Sequence, residues 1–205
     1  TMPFGENRLA LLRAVSPKLH VTCEDALNAD YSRADILYAG APPRDLTRAP
    51  GLKWVQLHMA GVNALADHPL YTDTPVLLTT TSGVHAATIA EYAITVLLAL
   101  AHRVPRMVEW QRKGVWPPDE HRWSLFVPTE LRGSTLGIIG YGSIGRELAR
   151  IAKTAFGVTV LACKRDLSRH EDSGYTLPGT GDPHGALPEA WFPPEKVTEL
   201  LARSD

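Results

Sequence analysis

The sequence predicts an α/β protein in which short parallel strands alternate with helices. Three observations favour this class: recurring short apolar runs, a long apolar stretch with helical composition, and a glycine-rich turn between a strand pattern and a helix pattern. The runs that read as strands in the first half of the chain are residues 19–23, 34–40, 52–61 and 75–80. With 205 residues, 44% of them hydrophobic, the chain can bury one full core or two small ones.

Charge and composition argue against nucleic acid and membranes as partners and indicate the cellular compartment. Lys and Arg (21) balance Asp and Glu (22), so no basic field exists for nucleic acid or an anionic membrane, and we expect neither partner. The most apolar run, residues 93–101, is shorter than the ~20 residues that cross a bilayer, and the N-terminus has no signal-peptide pattern. Cys23 and Cys163 lack metal-ligand spacing and are expected to be buried thiols. These features predict a cytoplasmic protein.

The middle of the chain predicts a long helix followed by an irregular connection. Residues 85–104 are rich in Ala and Leu and almost free of Gly and Pro, as in a helix. This helix is apolar nearly all round, so a domain junction or a second subunit should cover it. Prolines and tryptophans in 105–131 predict an irregular crossover. The expected division is 1–104 for a first lobe, 105–131 for the linker or crossover, and 132–205 for a second lobe.

A glycine-rich turn begins the second lobe. Gly140, Gly142 and Gly145 form G-x-G-x-x-G directly after an apolar run and directly before a helix. The first glycine allows a tight turn, the second lets a pyrophosphate approach the backbone, and the third lets helix and strand pack closely. The amides of Ser143 and Ile144, at the start of the helix, would then point at the phosphates. S-adenosylmethionine binders and nucleotide-free domains use similar turns, but the spacing to the next strand favours a dinucleotide.

The end of that next strand bears on the choice of cofactor. A fold that prefers NAD places an acid here to accept the ribose 2′-hydroxyl. In this chain the position, nineteen residues after Gly145, holds Lys164, followed by Arg165. Cations can pair with a 2′-phosphate, so NADP is favoured over NAD. The alternative is that both cations are solvated and Asp166 takes the acidic role.

The rest of the second lobe contributes less to function. Residues 173–196 contain Gly/Pro clusters without periodicity and predict a long loop, which a short terminal helix follows. His121 stands beside Asp119 and Glu120, but adjacent loop residues seldom converge on one ion, so we predict solvated charges and no metal site.

Five stretches together give the chain a resemblance to a known family. The chain resembles the D-isomer-specific 2-hydroxyacid dehydrogenases over residues 52–65, 79–100, 112–118, 130–162 and 174–205. The resemblance implies a flavodoxin-like substrate lobe, crossover helices and a Rossmann-type lobe for NAD or NADP. It also implies interconversion of a small 2-keto acid and its D-2-hydroxy acid. Separately, a homodimer is favoured for the intact protein.

The resemblance further implies roles for particular residues. Backbone N–H groups around Ala60, Gly61 and Val62 would hold the substrate carboxylate, as a turn after a strand can do; an ordinary strand-to-helix turn is the alternative. Thr88 would approach the cofactor, or merely serve as a hydroxyl at a helix start. Glu91 is expected to be a junction residue.

The catalytic Arg, His and Glu of the family lie beyond the part of the pattern present here. We therefore assign no catalytic residue, expect the Rossmann-type lobe to be incomplete, and expect activity only in an intact parent. His58, next to the carboxylate turn, is a further candidate for substrate contact. Two hypotheses compete with the dehydrogenase. The first is a non-catalytic nucleotide-binding or dimerising fragment, and the second is a methyltransferase.

Overall fold

The structure, a computed structural model, describes residues 4–25 and 28–205. It divides into two compact units, one ending at Thr81 and the other starting at Ser82. The domain boundaries predicted at residues 104 and 131 stay a prediction.

The first unit is a parallel three-stranded sheet with short helices. Its elements are α1 (Glu6–Ala14), β1 (Ile36–Ala39), β2 (Trp54–Leu57), α2 (Pro69–Thr72) and β3 (Leu77–Thr79), with 3-10 turns at Leu46–Arg48 and Asn63–Leu65. The strand order is β1-β2-β3, with every pair parallel. Val55 and Leu57 of β2 are fully buried and pack with Leu65 and Leu70. The apolar alternation of the central strand therefore supplies the core.

The predicted strand at residues 19–23 is wrong. This segment has no regular structure, and Leu19 is 39% exposed. Cys23 is exposed as well, against the expectation of a buried thiol, while Cys163 is buried as expected. An isolated short run offers too little apolar surface to hold a strand that no neighbour pairs with.

The second unit combines five helices with another parallel sheet. Its elements are α3 (Ala86–Ala101), α4 (Val104–Lys113), α5 (Asp119–Phe126), β4 (Thr135–Ile139), α6 (Ser143–Phe156), β5 (Thr159–Cys163), β6 (Ala190–Phe192) and α7 (Val197–Ala202), with a 3-10 turn at Pro194–Lys196. The strands pair in parallel in the order β4-β5-β6. The predicted parallel α/β class is thereby confirmed in both units.

Helices cover both faces of this second sheet. On one face Ile138 and Val160 pack against Ala149 of α6. On the other, Leu161 packs against Leu200 of α7. Because both faces are buried, the strands read as continuous apolar runs rather than as alternating ones.

The helix predicted at 85–104 is confirmed as α3. Ala90 and Ile94 are buried, and Ile94 packs with Ala152 and Val158. Within residues 4–25 and 28–205, no single helix is long and apolar enough to cross a membrane; α3 and α4 pass that test only when taken together, and a 61° bend separates them.

Two other expectations for this unit are wrong. Residues 105–131 contain α4 and α5 rather than an irregular connection, because Pro105 lies in the first turn of α4 and Pro118 caps α5, where proline is tolerated. The predicted loop at 173–196 contains β6, whose three residues are too few to show a periodic pattern.

Candidate functional site

The glycine turn joins the end of β4 to the start of α6. Gly140 has φ +99° and donates its N–H to the Cys163 carbonyl at 3.0 Å. At Gly145, a Cβ would lie 2.6 Å from the Gly140 carbonyl oxygen. The predicted tight turn and close helix–strand contact are therefore both present.

The amides at the start of α6 are available to a ligand. Arg146 N–H donates to the Gly142 carbonyl at 2.9 Å, whereas the N–H groups of Ser143, Ile144 and Gly145 donate to no acceptor in the part of the chain that the structure describes. Gly142 is exposed, and a Cβ there would meet no atom within 4 Å. This helix start can therefore accept an anion close to its backbone, where the helix dipole favours negative charge.

The end of β5 carries the predicted cations. Lys164 is half-buried and donates from Nζ to the Arg169 carbonyl, and Arg165 is exposed. Asp166 Oδ1 accepts the Ser168 hydroxyl at 2.6 Å and the Ser168 amide at 3.0 Å, and these bonds lower the pKa of Asp166. Its carboxylate therefore serves a local turn, which weakens the alternative that Asp166 binds the ribose.

Sequence reasoning missed a buried polar network around the first turn of α6. Arg146 and Glu147 are 1% and 2% exposed, and Asp182 is 6% exposed. Asp182 accepts the Tyr141 hydroxyl at 2.8 Å, and Glu147 accepts the Gly181 N–H at 2.6 Å. The only hint in the sequence is that two charged residues directly follow Gly145. They lie in the first turn of α6, which packs closely against the strand in a dinucleotide-binding fold.

The charges in this network are compensated. Glu147 accepts two hydrogen bonds from Arg150, at 2.8 and 2.6 Å, and this pairing is the main cause that lowers the pKa of Glu147. Burial, followed by the bond to Asp182, raises the pKa of Tyr141 well above its ordinary value. The network is therefore a neutral phenol and paired charges that hold structure rather than groups poised to transfer protons.

The predicted carboxylate turn follows β2 in the first unit. Ala60, Gly61 and Val62 are exposed, and their N–H groups donate to no acceptor among the described residues. The Val62 carbonyl accepts the Leu65 N–H at 2.8 Å, which fixes the turn. Three amides at the carboxyl end of a parallel strand can bind a small anion.

His58 lies immediately before this turn. Its Nδ1 is 2.5 Å from the Tyr38 hydroxyl, and its carbonyl accepts the Thr81 hydroxyl at 3.0 Å. The Tyr38 bond engages one ring nitrogen, and Nε2 has no hydrogen bond within the described residues. The Tyr38 bond thus holds the ring in place and leaves Nε2 without a partner among the described residues.

The remaining predicted residues have simpler surroundings. Thr88, in the first turn of α3, and Glu91 are both exposed, and the Thr88 hydroxyl makes no hydrogen bond within residues 4–25 and 28–205. His121 Nε2 lies 3.7 Å from Glu120 on an exposed helix, and no group of three potential metal ligands occurs in the described part of the chain.

Comparisons with known proteins agree with this geometry. Residues 94–181 match the family profile described as "D-isomer specific 2-hydroxyacid dehydrogenase, NAD binding domain". The glyoxylate reductase of Thermococcus litoralis is 34% identical over 122 residues, which are 58% of this chain and 36% of that protein. The glyoxylate reductase of Aeropyrum pernix is 34% identical over 151 residues, 71% of this chain and 44% of that protein.

A solved structure extends the similarity to nearly the whole chain. The D-isomer specific 2-hydroxyacid dehydrogenase family protein from Aeromonas salmonicida superposes with a TM-score of 0.71 at 26% identity, covering 98% of this chain and 58% of that one. The chain spans less than half the length of the two curated relatives. The predicted flavodoxin-like unit followed by an incomplete Rossmann-type unit is confirmed, and the chain belongs to the D-isomer-specific 2-hydroxyacid dehydrogenase family.

Proposed function

We propose that this chain is part of an NAD(P)-dependent oxidoreductase that interconverts a 2-keto acid and a D-2-hydroxy acid. The observation that carries the proposal is that the amides of Ser143, Ile144 and Gly145 donate to no acceptor among the described residues and begin the helix that follows a parallel strand. Together with Gly140 and Gly142 they would bind the cofactor diphosphate. The bound nicotinamide would supply the hydride, and the protein would bind, orient and shield the reactants.

We infer that the cofactor is NADP rather than NAD. Lys164 and Arg165 stand at the strand end where an acid would favour NAD, and the nearby Asp166 is engaged by Ser168. Thr88, with an exposed hydroxyl at the start of α3, is the further cofactor residue in the proposal.

The proposed substrate is a small 2-keto acid such as glyoxylate, on which the named curated relatives act. Ala60, Gly61 and Val62 would bind its carboxylate through their N–H groups. His58, held by Tyr38, would face the substrate beside them. No catalytic residue is assigned in this chain. The resemblance implies that an Arg, a His and a Glu outside the matched stretches perform that role.

The proposed partners follow from surface and charge. We propose a cytoplasmic homodimer formed through the apolar face of α3, where Tyr92 is 69% and Leu100 62% exposed. A net charge of −1 argues against nucleic acid and anionic membranes as partners.

A second candidate function is a nucleotide-binding or dimerising module without chemistry. The same amides and the same apolar helix would serve it. It differs from the dehydrogenase in one outcome, because it predicts cofactor binding that is never followed by turnover.

The test combines binding and turnover. Binding of NADPH and NADH is measured by fluorescence titration for the unsubstituted chain and for two variants. Gly142→Asp would place a carboxylate where a phosphate should lie. Gly5→Asp, at the exposed glycine that precedes α1, is the matched control. We expect binding by the chain and the control, and loss in Gly142→Asp. Because the catalytic residues are expected outside this chain, reduction of glyoxylate and hydroxypyruvate is measured, as loss of the reduced cofactor, with the longer protein of which the chain is proposed to be part. Binding without turnover in that protein favours the module, and binding of S-adenosylmethionine alone would indicate a methyltransferase.

A further inference from the structure

Lys164–His170, here called the cation turn, carries more positive charge than the strand end alone. Arg169 is exposed, like Arg165, and neither guanidinium forms an ion pair or a side-chain hydrogen bond within the described part of the chain. The acid between them, Asp166, already accepts two bonds from Ser168. The guanidinium groups of Arg165 and Arg169 therefore belong to one short turn, and no carboxylate among the described residues is paired with either. Unpaired guanidinium groups are suited to bind a phosphate dianion.

The cation turn is fixed at both ends. At its start, the Lys164 N–H donates to the Phe192 carbonyl of β6 at 3.0 Å, and Lys164 Nζ donates to the Arg169 carbonyl. At its end, the His170 ring stacks on Trp191 with a centroid distance of 4.3 Å and an interplanar angle of 6°. The backbone that carries Arg169 is thus held by bonds on either side.

A buried arginine connects this turn to the phosphate-binding helix start. Arg146, next to Gly145, is 1% exposed and donates from Nη2 to the His170 carbonyl at 2.6 Å. Its Nη1 donates to the Asp182 carbonyl, and its Nε lies 3.5 Å from Asp172 Oδ2, an ion pair that lacks hydrogen-bond geometry.

Stability alone is a poor explanation for the burial of the Arg146 guanidinium, so we ask what its contacts determine. Removing a guanidinium from water is costly, and an apolar side chain of similar volume would often stabilise the fold as well or better. The hydrogen bonds and the ion pair of the Arg146 side chain all run to residues 170–182, and its guanidinium also lies 5.1 Å from the centroid of the Tyr141 ring, in the glycine turn. Arg146 therefore fixes the position of residues 170–182 relative to the start of α6.

We propose that Arg169 joins Arg165 in binding the cofactor 2′-phosphate, and that Arg146 is a positioning residue that sets the cation turn at the correct place beside the diphosphate site. This inference rests on the proposed function, because it assumes that the glycine turn binds an adenine dinucleotide. Lys164 closes the turn through its bond to Arg169 and adds to the local positive charge.

The experiment isolates the 2′-phosphate with two small probes. Binding of adenosine 2′,5′-bisphosphate and of 5′-AMP to the chain is measured by isothermal titration calorimetry for Arg169→Gln and, as a matched control, for the exposed Arg132→Gln. We expect Arg169→Gln to weaken the bisphosphate about tenfold and to leave 5′-AMP within about twofold, because one charge-assisted contact is lost from one phosphate. Arg132→Gln should change neither affinity.

The positioning role is tested by a double-mutant cycle. Arg146→Met should lower the preference for the bisphosphate, and Arg169→Gln should then add little, because the turn no longer holds Arg169 in place. Arg146→Lys, which keeps the charge, is the second variant if Arg146→Met does not fold, as judged by near-UV circular dichroism. A merely structural role would weaken both probes equally.

Three outcomes would overturn the inference. An unchanged preference in Arg169→Gln excludes its contact with the 2′-phosphate. Additive effects of the Arg146 and Arg169 substitutions exclude the positioning role. Binding of neither probe to the unsubstituted chain contradicts the proposed function itself, which the 5′-AMP measurement distinguishes from the other two outcomes.

Discussion

Gly142 and Gly145 stand three residues apart and lack a side chain for different physical reasons. A Cβ at Gly145 would lie 2.6 Å from the Gly140 carbonyl oxygen and 3.0 Å from Ile138 Cγ2, both inside the fold. A Cβ at Gly142 would meet no protein atom within 4 Å, and its φ of −95° suits any residue. Packing inside the fold requires a glycine at position 145, whereas only a bound ligand would require one at position 142.

We therefore expect one alanine substitution to reduce stability and the other to reduce cofactor binding. Gly145→Ala should lower the free energy of unfolding by about 1–3 kcal/mol, since helix and strand must separate. Gly142→Ala should change it by less than about 0.5 kcal/mol but weaken NADPH binding, since the methyl group occupies the space of the phosphate. Urea denaturation and fluorescence titration measure the two quantities. Equal loss of stability in both variants would contradict this division.

Glu147 gives stability a defined dependence on pH. Its bonds from Arg150 and from the Gly181 N–H lower its pKa in the folded protein. A carboxyl whose folded pKa is depressed stabilises the fold above its unfolded pKa, about 4.3, and that contribution is lost as pH falls through the lower folded value. We expect Glu147→Gln to cost about 1–2 kcal/mol at pH 7 and progressively less below about pH 4.3.

Urea denaturation of both proteins from neutral to acidic pH measures this difference. Glu109→Gln, an exposed partner of Lys113, is the matched control and should cost almost nothing at any pH. A difference between Glu147→Gln and the unsubstituted chain that stays constant down to pH 3 would show that the charge of Glu147 is not what the network requires.

The site residues that could be predicted interact with residues close to them in the sequence, whereas those that were missed interact with residues far away in the sequence. The roles of Gly140 and Gly145 follow from local geometry that a short motif encodes, so the turn could be predicted. Arg146 and Asp182 are 36 residues apart in the sequence, and they meet only after the chain has folded. Their burial could not be derived from spacing.

At the scale of elements, α3 keeps an apolar stripe that its own unit does not cover. Tyr92, Val96 and Leu100 follow each other at four-residue spacing and are 69%, 37% and 62% exposed. The opposite side of α3 packs through Ile94 on α6. The sequence predicted that this helix needs cover on most sides, and the unit supplies it on one side only.

If the stripe is the proposed dimer surface, charge on it should separate the subunits. Leu100→Arg combined with Tyr92→Arg should shift the chain from dimer to monomer in sedimentation velocity, because each apolar side chain buried on association contributes about 1.5–3 kcal/mol. Leu11→Arg, at a 72% exposed position of α1, is the control and should leave the mass unchanged. A dimer that persists in the double variant would place the interface elsewhere.

The elements that sequence patterns missed share a property. Pro105 lies in the first turn of α4 and Pro118 caps α5, so the prolines that suggested an irregular segment mark the starts of two helices. β6 has only three residues, which are too few for a pattern. α3, α6 and the strands β2, β4 and β5 were predictable because their apolar residues recur over a whole element. Length and periodicity, more than residue type, decided which elements could be predicted.

At the scale of the whole molecule, each unit carries the donors for one proposed ligand. The exposed amides of residues 60–62 belong to the first unit, and the glycine turn with the cation turn belongs to the second. The class of each unit was predictable from alternating strands and helices. The sequence predicted two ligand sites from two turns, each at the carboxyl end of a parallel strand, which is where such folds bind ligands.

Hydrogen exchange can test this assignment of ligands to units. Adenosine 2′,5′-bisphosphate should slow exchange of the amides of residues 142–146 and 164–170 and leave residues 58–63 unchanged. Oxalate, which presents the carboxylate of a small keto acid, should slow residues 60–62 alone. At 100 times its dissociation constant a ligand stabilises the bound state by about 2.7 kcal/mol, so protection should approach about 100-fold where the amides bind directly. Protection by oxalate at the glycine turn, with none at residues 60–62, would mean that both turns had been assigned to the wrong ligand.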